Sequence, residues 1–255
     1  MTFSIQNLEI FLLILVRITA FIYVAPFFSI KNVPQKVKIG FSLFLTIILF
    51  YTLPNEAIAY DGVIGFAGLI MEEALVGVII GFFTNISYHI LSFSGQFIDN
   101  QIGFSMVNEL DPVSLVQSTI TANFYSYLVM LMMLVTNLHH YIIIALADTF
   151  SILPIGSAYI NPNFYILMTK FMQDYFIIGF RIVLPVFAAT LIVSAVLGIL
   201  AKAAPQMNMF VIGIQLKIIV GLLVLIVLTT FVPNISDYIF DEMIYMMKSA
   251  IEGLM

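Results

Sequence analysis

Long apolar stretches separated by short polar connections make up most of the chain. A helix that crosses a membrane needs roughly 20 consecutive apolar residues, so each stretch of about that length predicts one crossing. Six stretches qualify, at about 5–28, 37–54, 63–91, 118–149, 164–202 and 210–232. The third, fourth and fifth exceed one crossing, and we expect them to tilt, kink or project beyond the hydrocarbon. The pattern predicts an all-α polytopic membrane protein, with residues 1–255 forming a single membrane-embedded domain.

Proline positions and the C-terminal pattern refine these elements. Eight of the nine prolines lie at segment ends or in connections, where a missing amide donor is tolerated. Pro185 lies inside the fifth segment and should kink that helix or break it in two. After Pro233, the alternation of polar and apolar positions predicts a short amphipathic helix at about 235–254. Its polar face carries Asp237, Asp241, Lys248 and Glu252, and its apolar face carries Ile239, Met243, Met247, Ile251 and Leu254.

Composition supports a membrane environment. Hydrophobic residues make up 62% of the chain and charged residues only 9%, against about half and about a quarter in soluble domains, so a solvated surface could not cover it. The net charge of −5 argues against nucleic acid as a partner, because binding it requires clustered Lys and Arg. The absence of cysteine excludes disulfides and thiolate chemistry.

The residue patterns of known catalytic and metal sites are missing. His139 and His140 are neighbours, about 100° apart on a helix, whereas zinc sites on helices use histidines four residues apart. Phosphate-binding, nucleophile-elbow and dinucleotide-binding motifs do not occur in the sequence. We predict no enzyme activity, no cofactor and no metal site.

Charge inside the apolar stretches is the first candidate feature. Glu72 and Glu73 lie within the third segment, where an isolated carboxylate is costly. Arg17 in the first segment and Arg181 in the fifth are the obvious partners. The structural hypothesis is an ion pair between Glu73 and one of these arginines that orients helices, and loss of either partner would then destroy assembly. The alternative is a proton or ion relay.

Two stripes of small and polar residues are the second candidate feature. They recur every four residues on one helix face, a spacing that lets helix backbones approach closely in a bilayer. The first stripe is Glu73, Gly77, Gly81 and Asn85, and the second is Thr190, Ser194, Gly198 and Lys202. This spacing alone does not identify the neighbouring helix.

The third candidate feature is a polar, acidic segment, "SGQFIDNQIGFSMVNELDP", at 94–112. It contains three carboxylates and no Lys or Arg, so its charges need water or another chain. It predicts a loop at about 94–117. On physical grounds alone the loop could line a wet pore or be an ordinary solvated connection.

Several ordered motifs make the chain resemble the FliR family of flagellar export-gate proteins. The motifs are the acidic segment followed by "QSTITANFY", then "HH" at 139–140, "SILPIG" at 151–156, "GFRIVLPVFAA" from 179 and "LGILAKAAPQMNMFVIGIQLKIIVGL" to 222. The resemblance covers nearly the whole chain. Where the family often has "RAAPQ", this chain has "KAAPQ" at 202–206, which keeps the charge and loses the guanidinium fork.

The resemblance implies a non-enzymatic subunit of the flagellar type III export gate in the bacterial inner membrane, at the flagellar basal body. Its implied partners are FliP-like and FliQ-like subunits, an FlhB-like switch protein, unfolded export substrates and membrane lipid. The loop would act as a pore plug at Gly103 to Leu115. The implied plug and gasket residues are Gly103, Phe104, Ser105, Met106, Val107, Asn108, Glu109, Asp111 and Pro112.

Other classes remain possible at this stage. One is a secondary transporter with Glu72, Glu73, Arg17 and Arg181 at an intramembrane site. Another is a membrane scaffold without a pore. An injectisome export subunit is a third, although the motifs favour the flagellum.

Overall fold

The structure of the chain is a computed structural model. It describes residues 5–29, 33–53, 58, 60–104, 119–159, 161–206 and 208–255. The regular elements of this part of the chain are α-helices, which confirms the all-α prediction. They are α1 (Ile5–Val24), α2 (Gln35–Thr52), α3 (Gly62–Ile102), α4 (Ile120–Val135), α5 (Leu138–Ile152), α6 (Phe164–Ala203), α7 (Met209–Thr229) and α8 (Val232–Glu252).

Three helices differ from the predicted segments. Helix α3 continues to Ile102, so the first part of the predicted 94–117 loop is helical. The predicted segment 118–149 is divided at Asn137, which has a left-handed backbone (φ 59°) and separates α4 from α5. Asn tolerates this conformation better than most residues, yet no Gly or Pro marked the site in advance. Helix α6 continues through Pro185, so the break that was one of the two predicted outcomes is wrong, and the kink stays a prediction.

Among the described residues, five helices are long and apolar enough to cross a membrane: α1, α2, α3, α6 and most of α7. The divided pair α4 and α5 provides a sixth candidate if it counts as one span. At 1.5 Å per residue, the 41 residues of α3 extend about 60 Å, twice the thickness of the hydrocarbon. The helix lengths therefore support a polytopic membrane protein with some overlong helices.

The chain divides into two compact units. Unit 1 comprises residues 1–87, 136–171 and 239–255, and unit 2 comprises 88–135 and 172–238. Each unit has its own buried apolar residues. Those of unit 1 include Leu13, Ile14, Ile18, Ile80, Phe83 and Met247, and those of unit 2 include Ile90, Leu91, Ile98, Ile102, Val129 and Val186.

Helix α8 has the amphipathic character predicted for the C-terminal segment. All five predicted apolar-face residues are buried, at most 2% exposed. All four predicted polar-face residues are exposed. Phe164 and Leu167 of α6 lie against Gly253, just after α8, so this end of the helix packs within unit 1.

Candidate functional site

A buried ion pair joins α1 to α3 in unit 1. Arg17 and Glu73 are both 0% exposed, and Arg17 Nε donates to Glu73 Oε2 at 2.5 Å. Arg17 Nη2 donates to Glu73 Oε1 at 3.0 Å, which makes the contact bidentate. Of the two cations considered for Glu73, Arg17 is therefore the one in contact. Such a pair is tolerated at depth only when its remaining hydrogen-bonding groups are also paired.

The turn after α5 provides the remaining partners of this pair. Arg17 Nη1 donates to the carbonyl oxygen of Leu153 at 2.9 Å, and the backbone N–H of Gly156 donates to Glu73 Oε1 at 3.0 Å. The guanidinium carbon of Arg17 also lies 4.3 Å from the ring centroid of Phe150. The "SILPIG" segment is thus attached to both α1 and α3 through one pair of charges.

Glu72 uses its carboxylate differently. It is partly exposed and accepts a hydrogen bond from the backbone N–H of Ala158 at 2.6 Å. Glu72 also lines a mostly apolar cavity of about 260 Å³ together with Leu75, Ile79 and Leu254. Glu72 and Glu73 therefore both bind the backbone of the connection between α5 and α6 and attach it to α3.

The first small-residue stripe lies against α1. A Cβ atom at Gly77 would lie 2.3 Å from the carbonyl oxygen of Arg17 and 2.8 Å from the Cβ of Ala20. A Cβ atom at Gly81 would lie 3.0 Å from the Cβ of Val24. Glycine at these positions lets α3 approach α1 closely enough for Glu73 to reach Arg17.

In the second stripe Thr190 is buried, whereas Ser194 and Gly198 are exposed among the described residues. A Cβ atom at Gly198 would meet nothing within 4 Å, and Ser194 is exposed with its hydroxyl donating to the Thr190 carbonyl of its own helix. Lys202 is exposed at the end of α6. Close helix packing at Ser194 and Gly198 stays a prediction about another chain.

Asp99 fixes the entrance of the acidic loop in unit 2. Its carboxylate is fully buried, and Oδ2 accepts the backbone N–H of Thr121 at 3.0 Å. Oδ1 accepts the hydroxyl of the same threonine. Thr121 lies in the first turn of α4, where backbone N–H groups have no acceptor within the helix and favour a negative charge. Asp99 thus caps α4 from a different helix.

A close backbone approach lies beside this contact. A Cβ atom at Gly95 would lie 2.2 Å from the Cα of Ala122, so any side chain would force α3 and α4 apart. We call Gly95, Asp99, Thr121 and Ala122 the loop neck. Sequence reasoning missed the neck, although the polar Asp99 inside a helical stretch was a usable signal.

The structure describes only the first two of the predicted plug residues. Gly103 has φ 100°, a left-handed backbone that favours glycine, and it ends α3. Phe104 follows it and is half-buried. The predicted residues Ser105, Met106, Val107, Asn108, Glu109, Asp111 and Pro112 lie outside the described residues.

Arg181 lies in unit 2 and is exposed. It lines an open, mostly apolar cavity with residues of α4, α6 and α8. Sequence reasoning also missed contacts near this part of α6, where Gly179 lies against the ring of Phe93 and its carbonyl accepts the Ser94 hydroxyl at 3.1 Å. Within the described ranges, no group of three or more His, Asp and Glu side chains could hold a metal ion.

Comparison with known proteins gives a consistent family. The model of the family described as bacterial export proteins, family 1, matches residues 8–243. The flagellar biosynthetic protein FliR of Bacillus subtilis (strain 168) is 33% identical over 94% of this chain and 93% of its own length. FliR of Escherichia coli (strain K12) is 29% identical over 94% of this chain and 92% of its own length.

The fold and its membrane-length helices are those of a polytopic membrane protein. The chain belongs to the bacterial export proteins, family 1. The FliR relatives confirm the resemblance seen in the motifs.

Proposed function

We propose that this chain is a structural, pore-forming subunit of the flagellar type III protein export gate. In this proposal unfolded flagellar subunits cross the inner membrane through it at the basal body. FliP-like and FliQ-like subunits and an FlhB-like switch protein would be its partners. The relatives named as flagellar biosynthetic proteins support a place for this chain in the flagellar export apparatus, and they favour the flagellum over the injectisome.

The loop neck is the observation that carries the pore-closing part of the proposal. The loop leaves α3 at a left-handed Gly103 and returns at Thr121, and Asp99 and Gly95 hold the two sides together. In the proposal, a fixed base keeps the plug segment over one place in the pore. That is what a plug requires. In the proposal Phe104, Met106 and Val107 form an apolar gasket, because hydrophobic constrictions exclude water.

The surfaces of α6 and α7 support membership of a larger assembly. Many of their bulky apolar residues are exposed, including Leu184, Leu191, Ile192 and Ile199 of α6 and Leu223 and Ile226 of α7. Such surfaces require lipid or neighbouring helices to cover them. The uncovered Ser194 and Gly198 stripe on α6 fits a close approach by a helix of a neighbouring subunit.

The buried charges fit a structural role better than transport. Both oxygens of Glu73 already accept hydrogen bonds, and the pair is fully buried in unit 1. Arg181, which the transporter hypothesis would place at the same site, is exposed and makes no ion pair among the described residues. We therefore assign the Arg17–Glu73 pair to holding the helices of the subunit in place.

Co-purification tests the assembly. The tagged chain, expressed alone and with FliP-like and FliQ-like proteins, would be extracted from membranes and weighed by native mass spectrometry. We expect a defined complex that contains all three kinds of chain. A monodisperse chain that does not bind these proteins would contradict the proposal, and uptake assays for ions or solutes would then test the transporter.

Ion leakage tests the plug. Deletion of Gly103–Leu115 should make cells expressing the assembled complex leak ions, measured as loss of membrane potential. Replacement of residues 104–112 by a Gly-Ser segment of equal length is the matched variant, because it keeps the loop length and removes the gasket. Asp99→Ala should leak less than either, since it loosens the neck and leaves the gasket intact. An assembled deletion variant without leakage would exclude the plug.

A further inference from the structure

The open cavity at Arg181 is a feature that the proposed function does not use. It has a volume of about 370 Å³ and lies within unit 2. Most of its lining is apolar, contributed by Ile178 and Ile182 of α6, Leu228 of α7 and Ile235 of α8. This shape and lining suit a hydrocarbon chain.

Polar groups lie at the same cavity. Arg181 lines it, and among the described residues no hydrogen bond or ion pair involves its guanidinium. Tyr125 lines it as well, is only 1% exposed, and its buried hydroxyl has no hydrogen-bond partner among those residues. Two donors without acceptors at one cavity call for an anionic or strongly accepting ligand.

The N-terminal end of α8 adds to this preference. Asn234 and Ile235, in the first turns of α8, line the cavity beside Arg181. The N-terminus of a helix carries a partial positive charge and favours an anion. The described residues that line the cavity include neither Asp nor Glu, so no carboxylate among them would repel an anion.

The position of Arg181 along α6 suggests where such an anion would come from. Residues 182–201 contain no charged side chain, and Arg181 and Lys202 bound this run. A helical run of that length extends about 30 Å, the thickness of the hydrocarbon. With this run across the bilayer, Arg181 lies at the level of the lipid headgroups, and Tyr125 and Tyr238 lie beside it as interfacial aromatics do.

We propose that this cavity binds one anionic phospholipid, with its phosphate at Arg181 and Tyr125 and one acyl chain along the apolar lining. The guanidinium fork matches two phosphate oxygens, and the tyrosine hydroxyl can donate to a third. This inference does not depend on the export function, since any membrane protein with this geometry could hold a lipid there.

A tryptophan reporter tests the proposal directly, because the chain has no native tryptophan. Phe231→Trp places the reporter in the cavity lining. The full-length chain, purified with the partner subunits it retains, would be reconstituted in phosphatidylcholine vesicles. Quenching by brominated phosphatidylglycerol and by brominated phosphatidylcholine then gives the relative binding constants of the two lipids at this site.

We expect phosphatidylglycerol to bind about tenfold more tightly, because both lipids offer the same phosphodiester but the trimethylammonium group of phosphatidylcholine cancels its charge beside Arg181. Arg181→Gln should abolish this preference, so that the two lipids bind about equally, and Tyr125→Phe should reduce it in part. Lys248→Gln, which removes an exposed cation on the polar face of α8, should leave it unchanged. Added inorganic phosphate should not relieve the quenching, because the acyl chain contributes to binding.

Equal quenching by the two lipids in the otherwise native protein would overturn the proposal. So would an equal loss of preference in Lys248→Gln, because binding would then reflect general surface charge. Relief of quenching by inorganic phosphate would indicate a free-anion site instead. Carbodiimide cross-linking of the Lys amine in an Arg181→Lys variant to a carboxylate of a partner subunit would replace the lipid with a protein contact.

Discussion

The chain's two arginines are in opposite environments. Arg17 is fully buried, and three of its nitrogens donate to the Glu73 carboxylate and the Leu153 carbonyl. Arg181 is exposed at an open cavity and has no ion pair among the described residues. Both lie in apolar helices, and both were candidate partners for Glu73. The difference shows that an arginine in an apolar helix can join two helices in one unit and remain exposed at a cavity in the other.

The two glycine stripes also differ. Gly77 and Gly81 follow Glu73 on α3 and lie against α1, whereas Gly198 on α6 meets nothing within 4 Å. Close packing at the first stripe shields Arg17 from water and lipid. The following predictions separate these two situations, from the largest expected effect to the smallest.

Removal of the charge on Glu73 should have the largest effect. Glu73→Gln leaves Arg17 buried without its counter-charge, and we expect unfolding to become easier by about 3–5 kcal/mol, with loss of assembly. Unfolding in mixed micelles followed by circular dichroism, together with co-purification, measures both. A variant that assembles normally but no longer supports export would instead favour the relay.

Removal of both charges should be less harmful than removal of one. Arg17→Met combined with Glu73→Leu eliminates the unpaired buried charge, so we expect the double variant to recover part of the lost stability. Recovery should be incomplete, because the Leu153 carbonyl and the Gly156 amide lose their partners. A double variant less stable than either single variant would contradict this account of the pair.

The two glycine stripes should respond oppositely to the same substitution. Gly77→Ala places a methyl group 2.3 Å from a backbone oxygen, so α3 and α1 must separate, at a cost of about 1–3 kcal/mol. Gly198→Ala meets open space and should stabilise α6 by up to about 1 kcal/mol in the isolated chain. If Gly198→Ala blocked co-purification without destabilising the chain, α6 would contact a partner there.

Arg181→Gln should have the smallest effect on stability. Because the side chain is exposed and makes no ion pair among the described residues, we expect a change below about 0.5 kcal/mol in the same unfolding measurement. A loss comparable to that of Glu73→Gln would mean that Arg181 also holds the fold together. The two arginines would then not differ in role.

Much of the fold could be predicted from the sequence, because a helix forms through hydrogen bonds between residues four apart. Apolar length predicted the membrane-length helices to within a few residues at most ends. The period of α8 predicted which of its residues are buried. The division at Asn137 was not predictable in this way, since neither Gly nor Pro marks it.

The candidate sites were only partly predictable. The cost of an unpaired carboxylate in an apolar helix required a partner for Glu73, but two arginines met that requirement equally. The same spacing of small residues occurred on two helices, and it could not show which one has a close neighbour. Asp99 was noticed as one of three acids in a polar segment, without its role in capping α4.

The sequence by itself determined that this chain is helical, apolar and a member of the bacterial export proteins, because these properties depend on local pattern and ordered motifs. The tertiary structure decided that Glu73 pairs with Arg17, that Asp99 closes the loop neck and that Arg181 faces a cavity. Those choices depend on which helices approach within a few ångströms. That approach joins residues far apart in the sequence, and no periodicity along one helix encodes it.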